Sequence, residues 1–155
     1  MRWGFNIYPA YRRTGARITY IAGDMREVRI KLPLNWKTRN YVGSLFGGSM
    51  YGAIDPIYMI MLIKLLGPRY VVWDRAATIE FKKPGTGTLF ARFEIDDGEL
   101  ETIRRELSRN PSLNRTYRVD LTDANGVTHV SFEKTIYMRL RNRNGDSVER
   151  PTSDD

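Results

Sequence analysis

The segment NYVGSLFGGSMYGAIDPIYMIMLIKLLG, residues 40–67, places an asparagine, a glycine pair and one carboxylate at short spacing: Asn40, Gly47, Gly48 and Asp55. A carboxylate set among apolar helical residues costs several kcal/mol unless it is satisfied or used. Asp55 is of the type that activates a water or attacks a carbonyl directly. Amides at a helix start suit a developing oxyanion, and Gly47 and Gly48 carry no side chain to block approach. These are the parts of an acyl-transfer site. If the helix starts at the glycine pair, Asp55 lies roughly 10 to 12 Å further along its axis at ~1.5 Å per residue. One chain does not easily bring both groups to one carbonyl. Structural roles stay open beside these: Asp55 as a cap or salt-bridge partner, the glycines as points of close packing, and Asn40 as a turn cap.

Composition removes many other chemistries. The 155 residues contain no cysteine and one histidine, His129, which excludes disulfides, thiolate zinc sites and cysteine nucleophiles and leaves no metal site to expect. The formal net charge is +7, a balance that fits nucleic acid, membrane surfaces or anionic small molecules. The basic residues are scattered, with one run at Arg139–Arg143, and no basic and aromatic stripe accompanies them. We therefore expect neither a nucleic-acid nor a membrane partner. MRWGFNIYPAYRR lacks the unbroken apolar run of a signal peptide, and Asp55, Pro56 and Lys64 interrupt the apolar helix. The expectation is a soluble, cytoplasmic protein.

The elements that must position these residues follow from periodicity. In EVRIKLPL, Val28, Ile30, Leu32 and Leu34 fall on one face and Glu27, Arg29 and Lys31 on the other, as in a half-buried strand, and ARITYIAG is its hairpin partner. Between Tyr70 and Pro84, period two puts Trp73, Ala77, Ile79 and Phe81 on one face, with Lys83 continuing it. TLFARFEI returns with Leu89, Ala91, Phe93 and Ile95 together. DDGELETIRREL has Leu100, Ile103 and Leu107 at helical spacing behind an acidic start. TYRVDLT and THVSFEKTIYM flank DANG, a hairpin signal. His129 falls opposite Val130 and Phe132 and is expected to be exposed.

About six strands and one long helix predict an α+β fold in which a curled antiparallel sheet wraps a central helix. That helix is expected to be buried nearly all round, through Met50, Ile54, Ile57, Tyr58, Met61, Leu62 and Leu65. Pro56 lacks an amide and presses on the carbonyl of Gly52, predicting a kink with Asp55 at the bend. Residues 1–140 read as a single domain, and residues 141–155 as a polar, disordered tail.

Asn40, Gly43, Gly47, Gly48 and Asp55 resemble the motif of the PaaI-like acyl-CoA thioesterase branch of the hotdog-fold superfamily. There an asparagine and a glycine precede His-Gly-Gly and an acidic residue on the central helix. NYVGSLFGGSMYGAIDPIYMIMLIKLLG and YVVWDRAATIEFKKPGTG further resemble bacterial hotdog proteins grouped as thioesterases of unknown substrate. The resemblance spans about Arg17 to Leu140. It implies a hotdog fold and hydrolysis of an acyl-CoA or acyl-carrier thioester, with Asp55 as base or nucleophile, Gly47 and Gly48 as oxyanion donors, and Asn40 in the catalytic set. It also implies a homodimer, or a homotetramer as a dimer of dimers, that joins sheets edge to edge and shares each site between subunits.

One position departs from that motif. Phe46 stands where the branch has histidine, and a phenyl ring neither donates a hydrogen bond nor moves a proton. The expected substrate-binding residues are Phe46, Lys83, Lys37 and Arg39. Lys83 falls near where relatives carry a serine beside the acid, and Lys37 and Arg39 precede the motif loop, suited to the phosphates of coenzyme A. No cofactor is expected beyond coenzyme A as part of the substrate. A non-catalytic acyl-binding module is the competing reading.

Overall fold

The computed structural model describes residues 2–142; most of the polar tail expected at 141–155 lies outside the described residues. Two short helices, α1 (Arg2–Ile7) and α2 (Pro9–Arg13), precede a six-stranded sheet. Its strands are β1 (Arg17–Ile21), β2 (Glu27–Leu32), β3 (Tyr70–Phe81), β4 (Leu89–Glu94), β5 (Ser112–Thr122) and β6 (Thr128–Leu140). They pair antiparallel in the order β1-β2-β4-β5-β6-β3. Alternation sets the faces: Val28, Ile30 and Leu32 of β2 and Leu89, Ala91 and Phe93 of β4 are all buried, while the residues between them are not.

The apolar segment fills the inward side of this sheet as two helices, α3 (Gly47–Ile54) and α4 (Ile57–Leu66), interrupted at Asp55 and Pro56. Proline has no amide to continue the ladder, and its ring crowds the carbonyl four residues back, so the helix breaks where the sequence predicts. Aromatic contacts tie the pair to the sheet. The Tyr58 ring meets Phe93 of β4 edge-on at 5.1 Å and stacks on Tyr117 of β5 at 4.8 Å. Tyr51 meets Phe132 of β6 at 5.5 Å. Gly47–Leu66 is long and apolar enough to cross a membrane by length and composition, and here it is the core helix. The expectation that it is buried nearly all round is corrected. Its buried face runs through Met50, Ala53, Ile54, Ile57, Tyr58, Met61 and Leu62, and Tyr51 and Ile63 are exposed. The sheet covers one side of the helix, and apolar composition alone does not say which side.

The last long helix, α5 (Asp97–Leu107), is capped by Asp96, whose carboxylate accepts from the Glu99 amide at 2.7 Å, and it buries Leu100, Ile103 and Leu107 as spaced. The β5–β6 hairpin forms at DANG. Only Gly126 takes a positive φ there, +79°, and Asp123 fastens the turn by accepting from the Asn125 and Val127 amides at 2.9 and 3.0 Å.

Three side-chain expectations are corrected. A register shift between Asp74 and Ala76 makes β3 change phase. Ala77, Ile79 and Phe81 therefore share a face with Val72 and Asp74, not with Trp73. Trp73 stacks on Tyr137 at 4.4 Å on the other side. Lys83 lies beyond the end of β3 and is exposed, because the strand stops at Phe81. His129 is buried, at 8% exposure. Its Nδ1 lies 2.9 Å from the Pro84 carbonyl and its Nε2 3.2 Å from Asp123, so the chain covers the outer face of β6 at this end.

Candidate active site

Asp55 occupies the break between α3 and α4, where its amide still donates to the Tyr51 carbonyl at 3.0 Å. Its carboxylate points to β6. On that strand Val130, Phe132, Lys134, Ile136 and Met138 alternate inward and all are buried. Lys134 is therefore an ammonium on the core face, 2% exposed. A lone cation there costs several kcal/mol in lost hydration. Two carboxylates answer it: Lys134 Nζ donates to Asp55 Oδ1 and forms an ion pair of 3.0 Å with Asp74 Oδ2.

Asp74 reaches this place through the phase change in β3. With strict alternation back from Ala77, the inward positions would be Arg75 and Trp73. The extra residue turns Asp74 inward, where it lies opposite Ile136, a known use of bulges to re-aim a side chain.

The electrostatics of the cluster follow from its composition. Burial alone lowers a lysine, but hydrogen bonds and charge from Asp55 and Asp74 outweigh it and hold the Lys134 ammonium above its ordinary range. Asp74 is pushed up, first by burial; it shares its lysine with a second carboxylate, and Asp55 adds repulsion. Asp74 Oδ1 is buried with no hydrogen-bond partner among the described residues. The Tyr51 phenol is raised by its own burial and then by the charge of Asp55. The Asp55 side chain is 34% exposed, so the carboxylate is both anchored on one oxygen and open to solvent. That combination suits a fixed base or nucleophile.

The other predicted residues gather elsewhere. Asn40 spends its carboxamide on its own loop: Oδ1 accepts from the Val42 and Ser44 amides at 3.1 and 3.0 Å, and Nδ2 donates to Ser44 Oγ at 2.9 Å. That loop delivers Phe46, the residue before α3, whose amide donates to the Thr38 carbonyl at 2.8 Å. The amides of Gly47 and Gly48 are the first two of α3 and so have no carbonyl within the helix to bond. Their lack of a side chain is also used in packing. A Cβ on Gly47 would stand 3.2 Å from the Phe81 ring, and one on Gly48 would stand 2.4 Å from the ring of Phe46.

A surface cleft is lined by Asn40, Ser44, Gly47, Phe81, Lys82 and Lys83 among others. Asp55 is not part of its lining; it sits at the opposite end of α3, about 12 Å away by helix rise. Lys83 thus belongs with Asn40 and Gly47, and the lysine beside Asp55 is Lys134. Lys37 lines a second cleft, against the N-terminal helices, while Arg39 is exposed and its backbone bridges to Leu45. Among the described residues, no three or more His, Asp or Glu side chains gather as metal ligands.

The family described as a domain of unknown function, DUF4442, matches residues 2–138 of the chain. The chain belongs to the DUF4442 family. Among curated proteins, none matches it. Solved structures share the fold of this DUF4442 chain at low identity. A Pseudomonas aeruginosa protein of unknown function, described as a probable thioesterase, superposes with a TM-score of 0.79 at 17% identity, covering 90% of this chain and 93% of that one. A Haemophilus influenzae thioesterase gives 0.67 at 15% identity over 92% and 91% of the two chains. A mutant of the phenylacetic acid degradation protein PaaI from Thermus thermophilus gives 0.59 at 21% over 85% and 99%. The DUF4442 chain therefore has the hotdog fold, as its motif resemblance implies.

Lys134 and Asp74 are the two site residues that sequence reasoning missed. The signal for Lys134 was present: a lysine in the inward phase of VSFEKTIYM, between Phe132 and Ile136, requires a buried counter-charge. Asp74 had no such signal, because its phase depends on the bulge.

Proposed function

We propose that this DUF4442 protein hydrolyses an acyl-CoA thioester, with Asp55 as general base or nucleophile. The observation that carries the reading is the Asp55 carboxylate at the helix break, held on one oxygen by Lys134 and open to solvent, on a scaffold shared with thioesterases. Acting as base, Asp55 takes a proton from water as the water oxygen adds to the thioester carbonyl. The tetrahedral oxyanion then collapses, the C–S bond breaks with its electron pair going to sulfur, and the proton passes to the thiolate. Acting as nucleophile, Asp55 displaces the thiolate to give an acyl anhydride that water opens.

The amides of Gly47 and Gly48 receive the oxyanion, and Asn40 acts as a positioning residue by holding the loop that presents them. Because those amides and Asp55 lie at opposite ends of α3, a partner subunit supplies one of the two. Among the described strands β3 pairs only with β6, so its outer edge is free to join a second copy in an edge-to-edge dimer.

The test is thiol release from a panel of acyl-CoA chain lengths by the wild type and by Asp55→Asn. We expect turnover on at least one chain length and a loss of about 10²–10⁴-fold in the variant. Equal rates remove Asp55 from the mechanism. Phe46 in the histidine position and the bond from Lys134 to Asp55 favour a second reading, a module that binds an acyl thioester without cleaving it. Saturable binding with no thiol release across the panel would select that reading.

A further inference from the structure

The cleft that takes Lys37 is built from two elements distant in sequence. Ile7, Pro9, Arg12, Arg13 and Gly15 line one side and Lys37 the other, around a volume of about 410 Å³, within the ~300–1,000 Å³ of small-ligand sites. No carboxylate lines it. Among the described residues, Arg12, Arg13 and Lys37 form no salt bridge with an acidic side chain, whereas Arg26, Arg29, Arg92, Arg115 and Arg118 all do.

Buried contacts lock the two walls together. Tyr11, which precedes the arginines, is buried and donates its hydroxyl to the Ala53 carbonyl of α3 at 3.1 Å. Thr14 packs over Gly52, where a Cβ would stand 2.8 Å from its methyl. Gly15, at φ +84°, lies so close to the buried Thr38 that a Cβ would stand 2.1 Å from the Thr38 methyl. Thr38 in turn fixes the 33–38 turn through its hydroxyl, which donates to the Pro33 carbonyl at 2.6 Å and accepts from the Asn35 amide at 3.0 Å. Three cations are thus held around one concavity by a packed interior. Beside them Trp36 is 80% exposed, with the Lys37 ammonium 4.9 Å from its ring centroid.

We propose that this cleft binds the phosphate-bearing nucleotide end of coenzyme A, with Arg12, Arg13 and Lys37 on the phosphates and Trp36 as a stacking surface for the adenine. Guanidinium pairs match phosphate oxygens in a fixed fork, and a flat indole is the common partner of a nucleobase. The inference rests on the acyl-CoA reading for the identity of the ligand. The binding it describes is separate from Asp55. The structure divides the two cations that precede the motif loop: Lys37 belongs to this site, and Arg39 does not.

The probe is adenosine 3′,5′-bisphosphate, which has no thioester, titrated calorimetrically into the wild type and into Arg12→Gln/Arg13→Gln/Lys37→Gln. All three side chains are exposed, and equal thermal unfolding of the two proteins serves as the control for folding. We expect saturable binding to the wild type, weakened tenfold or more in the variant, with the difference shrinking as salt rises. Trp36→Ala should weaken it as well. A parallel arm tests sedimentation with phosphatidylserine vesicles, the other source of clustered phosphate. No bisphosphate binding by the wild type, equal binding by the triple variant, or dependence on these residues for vesicles alone overturns the proposal. Bisphosphate binding that needs the three cations, in a protein that hydrolyses no acyl-CoA, sinks the enzymatic reading and leaves this site standing.

Discussion

Lys134 and Asp55 lie 79 positions apart in the chain and meet in one ion pair. The helix break presents the carboxylate, and the inward phase of β6 presents the ammonium. The buried ammonium would be costly without a counter-charge, which makes the pair one of the ties between α3–α4 and the sheet.

Removing the ammonium leaves Asp55 and Asp74 facing each other without a cation. Lys134→Met should therefore cost about 1–3 kcal/mol of unfolding free energy, since the two carboxylates left behind are partly open to solvent, measured in urea. Adding Asp55→Asn and Asp74→Asn in the same chain should recover most of the loss, since it removes the stranded charges. A Lys134→Met protein as stable as the wild type would show that the pair does not hold the fold.

The same cluster predicts an alkaline limb. Lys134 is held above its ordinary range by the two carboxylates, against the opposing effect of burial, so the folded state keeps this proton longer than the unfolded state. Its contribution is fully present below the unfolded lysine value of about 10.4 and is lost as pH rises through the raised folded value. Stability of the wild type should fall above about pH 10.4 by up to ~1.4 kcal/mol per pH unit. The triple variant lacking Lys134, Asp55 and Asp74 should lack this component, as followed by denaturant midpoints across pH.

Gly15 offers a double-mutant test of the N-terminal arm. Gly15→Ala meets both a positive φ and the Thr38 methyl, and should destabilise by about 2–4 kcal/mol. Thr38→Ser removes that methyl and keeps the hydroxyl bonds. The cost of Gly15→Ala should then be smaller in the Thr38→Ser background than in the wild type, with a coupling of at least ~0.5 kcal/mol. Simple additivity would mean that backbone strain alone explains the loss.

A site shared between subunits predicts complementation. Asn40→Ala loosens the loop that presents Gly47 and Gly48, and Asp55→Ala removes the carboxylate; each homodimer should be poorly active. Co-refolded at equal amounts, half the dimers are mixed and each mixed dimer has one intact site, so roughly a quarter of wild-type activity should return. Heterodimers that form, as seen by native mass spectrometry, yet restore nothing would place both groups within one chain.

Much of this architecture is local and is written in the sequence. Alternation in β2 and β4, the helical spacing of Leu100, Ile103 and Leu107, the DANG hairpin and the break at Pro56 each depend on a few consecutive residues and on backbone geometry that tertiary contacts do not change. What only the tertiary structure decided are the places where two local patterns meet. The bulge in β3 that turns Asp74 inward depends on how that strand fits β6, not on its own residues. Lys134 reads as one more strand lysine until Asp55 is brought to it. The burial of His129 depends on Pro84 and Asp123 closing over the outer face. Period two assigns faces within a strand, but the register between strands, and what covers each face, are set by packing across long sequence separations.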